Sequence, residues 1–252
     1  LFPTWALEMA GPRALSSQWE EAPVYLRVPG DRDKAVEALR AHEILAHHVE
    51  GAPWGLRVER PMVKRALAAL GPSAQVQDAS SQKIAPLLMR DTCVEKDTVV
   101  LDACAGAGGK TLHLAALMQG QGKLLAHDVE EKKLNELKKR ALGAKAPVTV
   151  LSTRELREWK GGVDRLLLDV PCSGLGVLRR HPDTLWHLRP EDVAAKCQLQ
   201  RKILLDYSPL VRTGGRMLYA TCSILPSENQ EQVQWFLSQH PDWRLLEERE
   251  YS

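Results

Sequence analysis

The sequence predicts an α/β chain, with a small α+β domain over residues 1–75 and a doubly wound α/β domain over residues 76–252. Three observations lead to this prediction. Residues 24–28 read as a strand and residues 31–40 as a helix, which is typical of a small α+β module. Gly71-Pro72-Ser73 then breaks the pattern. Beyond it, short apolar runs alternate with helical stretches, as in a parallel sheet covered by helices on both faces.

Five apolar runs of the second domain are expected to be buried strands, and three other segments are expected to be helices. The predicted strands are Thr98–Leu101, Lys123–Ala126, Val148–Leu151, Arg165–Leu168 and Arg216–Tyr219. The predicted helices are Leu112–Met118, Glu130–Leu142 and Gln198–Val211. In an open parallel sheet the ligand lies beyond the carboxyl ends of the strands, so the residues after each strand are the first candidates for a site.

The composition excludes several classes of protein. With 252 residues, of which 44% are hydrophobic, the chain can bury a core, so disordered and collagen-like classes are excluded. The five cysteines form no CxxC pair or His/Cys cluster, so neither disulfides nor a metal site are predicted, and a reducing, cytoplasmic compartment is expected. No apolar run reaches the length of a membrane span, so no membrane partner is expected. The net charge of +2 neither requires nor excludes a polyanionic partner. As a separate expectation, a monomer is favoured.

A glycine-rich segment follows the first predicted strand of the second domain. It runs from Asp102 to Thr111, reads Asp-Ala-Cys-Ala-Gly-Ala-Gly-Gly-Lys-Thr, and leads into a predicted helix. Small residues let a ligand approach the backbone there, and the helix N-terminus adds N–H donors. Cys104 stands where the P-loop pattern GxxxxGK[ST] needs glycine, and Thr111 interrupts GxGxxG. A nucleoside triphosphate or a dinucleotide is therefore disfavoured as the ligand.

An acidic residue follows the second of these strands. Asp128 comes after the run that ends at His127, where a carboxylate accepts hydrogen bonds from both ribose hydroxyls of an adenosine-type ligand. Since no phosphate-binding motif is intact, S-adenosylmethionine fits this combination better than NAD or ATP. The alternative for the glycine-rich segment is a tight turn with a purely structural role.

Two cysteines follow two further strands. Cys172 lies in Asp169-Val170-Pro171-Cys172-Ser173-Gly174, and Cys222 lies in Thr221-Cys222-Ser223. Both thiols and Asp169 are expected to face the same cleft as the glycine-rich segment. A thiolate that adds to carbon 6 of a pyrimidine makes carbon 5 able to attack a sulfonium methyl group. An acid at the N3/N4 edge of cytosine stabilises that adduct, and Asp169 is suited to this role.

These motifs together resemble those of the Sun/Fmu-type RNA (cytosine-5) methyltransferases, a family that includes bacterial 16S rRNA methyltransferases. The resemblance covers Gln77–Gln82, Asp102–Thr111, Asp128, Asp169–Gly174, Arg179–Asp183 and Tyr219–Asn229. It implies a Rossmann-like, S-adenosylmethionine-dependent methyltransferase domain preceded by a small RNA-recognition-like domain. It also implies methylation of carbon 5 of a cytosine in RNA, with small-subunit rRNA as the partner.

The resemblance implies roles for individual residues. Cys222 is expected to attack carbon 6 and Cys172 to assist breakdown of the covalent adduct, whereas DNA cytosine-5 enzymes attack with the Pro-Cys thiol. Lys110 and Asp169 are expected beside the target base and the methyl donor. The expected cofactor-binding residues are Cys104, Ala105, Gly106, Ala107, Gly108, Gly109, Lys110, Asp128, Lys133 and Asp169, and the expected RNA-binding residues are Arg179, Arg180 and His181.

The sequence departs from the family pattern at a few positions. Ala107 stands where many relatives have proline, Lys133 replaces a frequent arginine, and Ser152 stands where relatives often have an aspartate for the adenine amino group. The second domain is also expected to lack the last strand of the family. Three other functions stay open: a tRNA cytosine-5 methyltransferase, a DNA cytosine-5 methyltransferase that attacks with Cys172, and an inactive RNA-binding assembly factor.

Overall fold

The computed structural model describes residues 3–16 and 22–251 and confirms the predicted α/β class. The strands are β1 (Val24–Arg27), β2 (Ala46–His48), β3 (Gly55–Val58), β4 (Gln75–Val76), β5 (Val99–Asp102), β6 (Lys123–Ala126), β7 (Thr149–Val150), β8 (Val163–Asp169) and β9 (Val211–Ala220). The helices are α1 (Thr4–Ala10), α2 (Pro12–Ser16), α3 (Arg32–Ala41), α4 (Val63–Leu70), α5 (Ala79–Gln82), α6 (Ile84–Met89), α7 (Gly109–Met118), α8 (Glu131–Gly143), α9 (Thr153–Leu156), α10 (Thr184–His187), α11 (Pro190–Tyr207) and α12 (Gln230–Gln239). Within the described residues, no helix has the length and apolar character that crossing a membrane requires.

The first four strands form an antiparallel sheet in the order β2-β3-β1-β4. Helix α3 begins after Asp31, whose carboxylate accepts hydrogen bonds from the backbone N–H groups of Asp33 and Lys34 at 2.9 and 3.3 Å. The strand and the helix predicted at 24–28 and 31–40 are therefore present. Strand β4 includes Val76, one residue beyond the predicted domain boundary, and that boundary itself stays a prediction.

The last five strands form a second sheet in the order β7-β6-β5-β8-β9. Strand β5 pairs in parallel with β6 and with β8, and β6 pairs in parallel with β7. All four residues of β5 are buried, as expected for a central strand with both faces covered. All five predicted strands are present, although β9 begins at Val211 rather than at Arg216.

The helices beside this sheet agree with the prediction in two places and differ in one. The segments predicted at 112–118 and 130–142 form α7 and α8. The helix predicted at 198–211 is α11, which begins at Pro190 and ends at Tyr207. The helix begins earlier than predicted, at Pro190, because proline is favourable in the first turn of a helix, where its missing N–H is not needed. The predicted end was also late, since Val211 already belongs to β9.

Residue contacts group the chain into two compact units. The sheet unit contains Pro23–Leu167 and Leu210–Leu218, and the cysteine unit contains residues of Leu1–Ala22, Leu168–Pro209 and Tyr219–Tyr251. In the cysteine unit, α1 and α2 contribute Ala6 and Leu15 to an apolar cluster, and both side chains are fully buried. The other buried members of that cluster are Leu175, Leu178, Leu185, Val193 and Leu225.

Candidate active site

The glycine-rich segment connects β5 to α7 within the sheet unit. Asp102, the last residue of β5, is buried, and its carboxylate accepts a hydrogen bond of 2.7 Å from the hydroxyl of Thr111 in the first turn of α7. Gly106 and Gly108 have φ angles of +51° and +88°, a region that favours glycine. A Cβ at Gly108 would also lie 2.8 Å from the side chain of Leu137. The loop therefore needs glycine at position 108 for its conformation and for its packing.

Other parts of the same loop are open. Apart from each glycine's chain neighbours and the backbone of its own helix, no atom of the described residues lies within 4 Å of the position that a Cβ would occupy at Gly106 or Gly109. Asp128, which follows β6, is half-buried, and its carboxylate accepts a hydrogen bond of 2.8 Å from the backbone N–H of Gly106. A carboxylate held beside an accessible glycine backbone fits the ribose of an adenosine-type cofactor. The residues present therefore fit S-adenosylmethionine.

Arg140 of α8 supports this loop and was missed by sequence reasoning. Its guanidinium donates to the carbonyl oxygen of Ala107 at 2.6 Å and to Oε1 of Gln75 in β4 at 2.7 Å. One side chain therefore connects the glycine-rich loop to the small antiparallel sheet. No sequence signal pointed to this role, because the run Lys138-Lys139-Arg140 is typical of an exposed helix face.

The other predicted cofactor residues of the sheet unit have varied surroundings. Cys104 and Lys110 are half-buried, and the buried Ala105 donates its backbone N–H to the carbonyl oxygen of His127 at 3.0 Å. Lys133 is exposed and pairs with Glu130, a hydrogen bond that raises the pKa of Lys133. Contact of these residues with a cofactor stays a prediction.

Ser152, which follows β7 where an adenine contact was in question, is the N-cap residue of α9. Its hydroxyl oxygen accepts the backbone N–H of Glu155, and the carboxylate of Glu155 accepts the backbone N–H of Ser152 at 2.8 Å. This reciprocal capping satisfies two donors at the start of the helix. The hydrogen bond from the Ser152 hydroxyl lowers the pKa of Glu155.

The two predicted catalytic cysteines meet in the cysteine unit. Cys172 follows β8 and Cys222 follows β9, and their sulfur atoms are 3.1 Å apart. The backbone N–H of Cys222 also donates to the sulfur of Cys172 at 3.4 Å. Cys222 is exposed and Cys172 is half-buried. Residues 50 positions apart in the sequence thus form a thiol pair at the ends of two neighbouring strands.

The two thiols of this pair are not equivalent. The hydrogen bond to Cys222 and burial both raise the pKa of Cys172. Cys172 therefore holds its proton more tightly than an ordinary cysteine, and one of the two sulfur atoms donates a hydrogen bond to the other. Since the thiolate is the nucleophilic form of cysteine, the raised pKa disfavours Cys172 as a nucleophile, and the catalytic roles of the two cysteines stay a prediction.

The backbone near both strand ends is closely packed. Gly176 donates its N–H to the carbonyl oxygen of Cys222 at 2.9 Å, and a Cβ at Gly176 would lie 2.5 Å from that oxygen. Asp169, the last residue of β8, is half-buried, and the next residue, Val170, donates its N–H to the carbonyl oxygen of Ala220 at 3.0 Å. Glycine at position 176 thus permits a close approach to the segment that carries Cys222.

The predicted RNA-binding residues precede the short helix α10. Arg180 and His181 line a cavity of about 680 Å³, whereas Arg179 does not. The cavity is also lined by Pro182, Asp183, Thr184, His187, Leu188, Asp192 and Lys196. Trp186, also on α10, has 59% of its surface exposed. Aromatic and cationic side chains are the means by which proteins bind single-stranded RNA, and RNA binding by this segment stays a prediction.

Sequence reasoning also assigned no role to three residues that surround the cysteines. Gln200, Glu228 and Asn229 hydrogen-bond to the segments that carry Cys172 and Cys222.

Within residues 3–16 and 22–251, no group of three or more His, Cys, Asp or Glu side chains is arranged to hold a metal ion.

The fold and the loop together define a class of protein. A parallel α/β sheet whose central strand leads into a glycine-rich loop, with an acidic residue after the next strand, is the fold of the S-adenosylmethionine-dependent methyltransferases. The chain is similar to the crystal structure of PH0851, with 28% identity, a TM-score of 0.86, and coverage of 95% of this chain and 57% of that chain. A methyltransferase homolog protein from Pyrococcus horikoshii is 26% identical, with a TM-score of 0.77 and coverage of 92% and 76%.

The chain belongs to the 16S rRNA methyltransferase RsmB/F family, whose sequence model matches residues 92–251. Ribosomal RNA small subunit methyltransferase B from Cronobacter sakazakii is 36% identical over 260 aligned residues, covering 97% of this chain and 59% of the relative. The enzyme of that name from Sodalis glossinidius is 37% identical over 236 residues, covering 90% of this chain and 53% of the relative. The family resemblance is thereby confirmed, and the chain spans less than two thirds of the length of these curated relatives.

Proposed function

We propose that this chain transfers a methyl group from S-adenosylmethionine to carbon 5 of a cytosine in RNA, and that the RNA is 16S rRNA. The observation that carries the proposal is the thiol pair, with 3.1 Å between the sulfur atoms of Cys172 and Cys222. The names of the relatives support rRNA as the substrate. The cofactor supplies an electrophilic methyl group on its sulfonium sulfur.

The thiol pair supports a covalent route to carbon 5. The thiolate of Cys222 forms a bond to carbon 6, and the electron pair displaced from the 5,6 double bond makes carbon 5 nucleophilic toward the methyl group. A base then removes the proton from carbon 5, the double bond re-forms, and the carbon–sulfur bond breaks. Cys172 retains its proton and donates a hydrogen bond to the departing sulfur, which stabilises the Cys222 thiolate.

The same reaction suggests roles for the other site residues. Asp169 would bind the N3/N4 edge of the cytosine and stabilise the adduct, with Lys110 beside the base. The backbone of residues 104–110 would hold the methionine part of the cofactor, and Asp128 its ribose. Arg179, Arg180 and His181 would bind phosphates of the RNA, whose target base must leave its stack to react.

The test is transfer of labelled methyl from S-adenosylmethionine to unmodified 16S rRNA, followed by nucleoside analysis. We expect labelled 5-methylcytidine from the native chain and none from Cys222→Ala. Cys172→Ala is expected to accumulate a protein–RNA adduct that survives SDS. An adduct formed by Cys222→Ala would contradict the assignment and indicate attack by Cys172, as in DNA enzymes.

Two further outcomes would replace the proposal. Label that enters tRNA but not 16S rRNA would indicate a tRNA cytosine-5 methyltransferase. RNA and cofactor binding without any transfer would indicate an assembly factor without activity.

A further inference from the structure

Glu228 is a buried carboxylate that the proposed reaction does not use. It ends the 3-10 turn Pro226–Glu228, and its side chain is fully buried. A buried carboxylate is costly unless hydrogen-bond donors surround it. Here the backbone N–H of Ser173 (2.8 Å) and Nε2 of Gln200 (3.1 Å) donate to Oε1. The hydroxyl of Ser173 donates to Oε2 at 2.5 Å.

These bonds hold the residues on both sides of Cys172. Ser173 follows Cys172 and is held through both its N–H and its hydroxyl. Pro171 precedes Cys172, and its carbonyl oxygen accepts a hydrogen bond of 3.1 Å from the same Nε2 of Gln200. The peptide groups before and after Cys172 are therefore both held, one by Gln200 and the other by Glu228, and Gln200 is itself bonded to Glu228.

Asn229, the next residue, holds the segment that carries Cys222. Its Nδ2 donates to the carbonyl oxygen of Ser223 at 2.9 Å, and its Oδ1 accepts a hydrogen bond of 2.5 Å from the hydroxyl of Thr221. Thr221 and Ser223 are the two neighbours of Cys222 in the sequence. A further hydrogen bond of 3.1 Å joins the hydroxyls of Ser223 and Ser173, and thus links the two cysteine segments directly.

We propose that Glu228 and Asn229 are positioning residues that set the distance between the sulfur atoms of Cys172 and Cys222. Since the two residues are adjacent, one planar peptide group joins Glu228, which holds the segment of Cys172, to Asn229, which holds the segment of Cys222. The inference rests on the proposed function, because the value of this distance for catalysis depends on the adduct chemistry.

The distance matters when the adduct breaks down. The sulfur of Cys222 leaves carbon 6 as a thiolate, and the thiol of Cys172 stabilises it only while the two sulfur atoms stay within hydrogen-bonding distance. If Cys172 moves away, the adduct still forms at the exposed Cys222 but is released more slowly. Loss of either support is therefore expected to lower kcat while leaving KM for RNA close to its native value.

Matched variants separate positioning from folding. Glu228→Ala removes all three hydrogen bonds that the carboxylate accepts. Glu228→Asp keeps the carboxylate but moves it away from its donors, and this variant replaces Glu228→Ala in the experiment if the alanine variant does not fold. Glu228→Gln keeps the shape and one acceptor oxygen, and its amide can donate to the hydroxyl of Ser173. Asn229→Ala removes the support of Cys222. Glu231→Ala and Glu231→Gln, at an exposed position in the first turn of α12, are the controls.

The first measurement needs no RNA. The full chain is treated with diamide, which takes up two electrons and two protons as two thiols become a disulfide, and the Cys172–Cys222 crosslink is followed by peptide mass spectrometry. We expect crosslinking to be slower by about tenfold or more in Glu228→Ala, Glu228→Asp and Asn229→Ala. Glu228→Gln and the Glu231 variants are expected to stay within about threefold of the native rate. Native rates in the folded alanine or aspartate variants would overturn the proposal.

The second measurement follows the protein–RNA adduct with S-adenosylmethionine and unmodified 16S rRNA. We expect Glu228→Ala to accumulate the adduct as Cys172→Ala does, with release slower by about tenfold or more, and Glu228→Gln to restore release. Release at the native rate in folded Glu228→Ala would overturn the proposal. If Cys172→Ala forms no adduct, the proposed function fails, while the diamide rates still decide whether Glu228 and Asn229 position the thiols.

Discussion

Gly108 shows how strongly the cofactor loop depends on one residue. Its φ of +88° and the 2.8 Å approach to Leu137 both disfavour a side chain. We expect Gly108→Ala to lower the free energy of unfolding by about 1–2 kcal/mol or more, because alanine is strained in this conformation. Binding of S-adenosylmethionine should weaken with it. Urea unfolding and calorimetric titration with S-adenosylmethionine measure the two effects.

The neighbouring glycine provides the control for that experiment. Gly109 lies in the first turn of α7, and apart from its chain neighbours and the backbone of that helix, no described atom lies within 4 Å of the position of an added Cβ. Gly109→Ala should raise the free energy of unfolding by about 0.5–1 kcal/mol, since alanine favours the helical conformation. Equal destabilisation by both substitutions would contradict the structural explanation.

The lowered pKa of His113 leads to a prediction of how the free energy of unfolding depends on pH. Burial, and then the charge of Arg27, lower the pKa of this α7 side chain to about 3, and its ring lies 5.2 Å from that of Trp54. In the unfolded chain a histidine binds its proton near pH 6.5, so between pH 6.5 and pH 3 the unfolded state holds more protons. Stability is therefore expected to fall as the pH falls through that window, by about 1.4 kcal/mol per pH unit from this residue.

The variant His113→Gln isolates this contribution. It removes the titrating group, so its free energy of unfolding should fall less between pH 6.5 and pH 4.5 than that of the native chain, by roughly 2–3 kcal/mol. Urea unfolding at the two pH values gives the difference. Parallel losses in both proteins would show that His113 does not carry the effect.

At the scale of elements, Arg140 connects α8, the glycine-rich loop and β4. A lysine at this position carries one ammonium group, which cannot reproduce the two directed bonds to Ala107 and Gln75. We expect Arg140→Lys to lower the free energy of unfolding by about 1–3 kcal/mol and to weaken binding of S-adenosylmethionine. Lys139→Ala, on the exposed face of α8, is the control and should change neither quantity measurably.

At the scale of the whole molecule, helices α1 and α2 pack against a segment far along the chain. Leu15 of α2 is fully buried in the cluster that contains Leu175 and Leu178, shortly after Cys172. Leu15→Ala is expected to lower the free energy of unfolding by about 2–5 kcal/mol, because it leaves a cavity. Hydrogen exchange of residues 173–178 should accelerate. The exposed control Glu8→Ala should leave that exchange unchanged.

The parallel sheet could be predicted because its signals are local. Short apolar runs indicated all five strands of the parallel sheet, and the glycine-rich pattern indicated the turn between β5 and α7. The start of α11 was missed, since the turn from Pro190 is polar and shows no apolar periodicity. The association of α1 and α2 with the cysteine unit was not foreseen either, because it depends on apolar contacts between residues more than 150 positions apart.

The sequence by itself determined which chemical groups follow which strands: the glycine-rich loop after β5, Asp128 after β6, and the two cysteines after β8 and β9. Only the tertiary structure decided how those groups are held. Arg140 and Gln75 are 65 positions apart, and Glu228 and Ser173 are 55 apart. Backbone propensity and hydrophobic periodicity act over a few residues, so they predict elements and the ends of elements. A hydrogen bond to a buried carboxylate depends instead on where the packed chain brings distant donors, which no local pattern records.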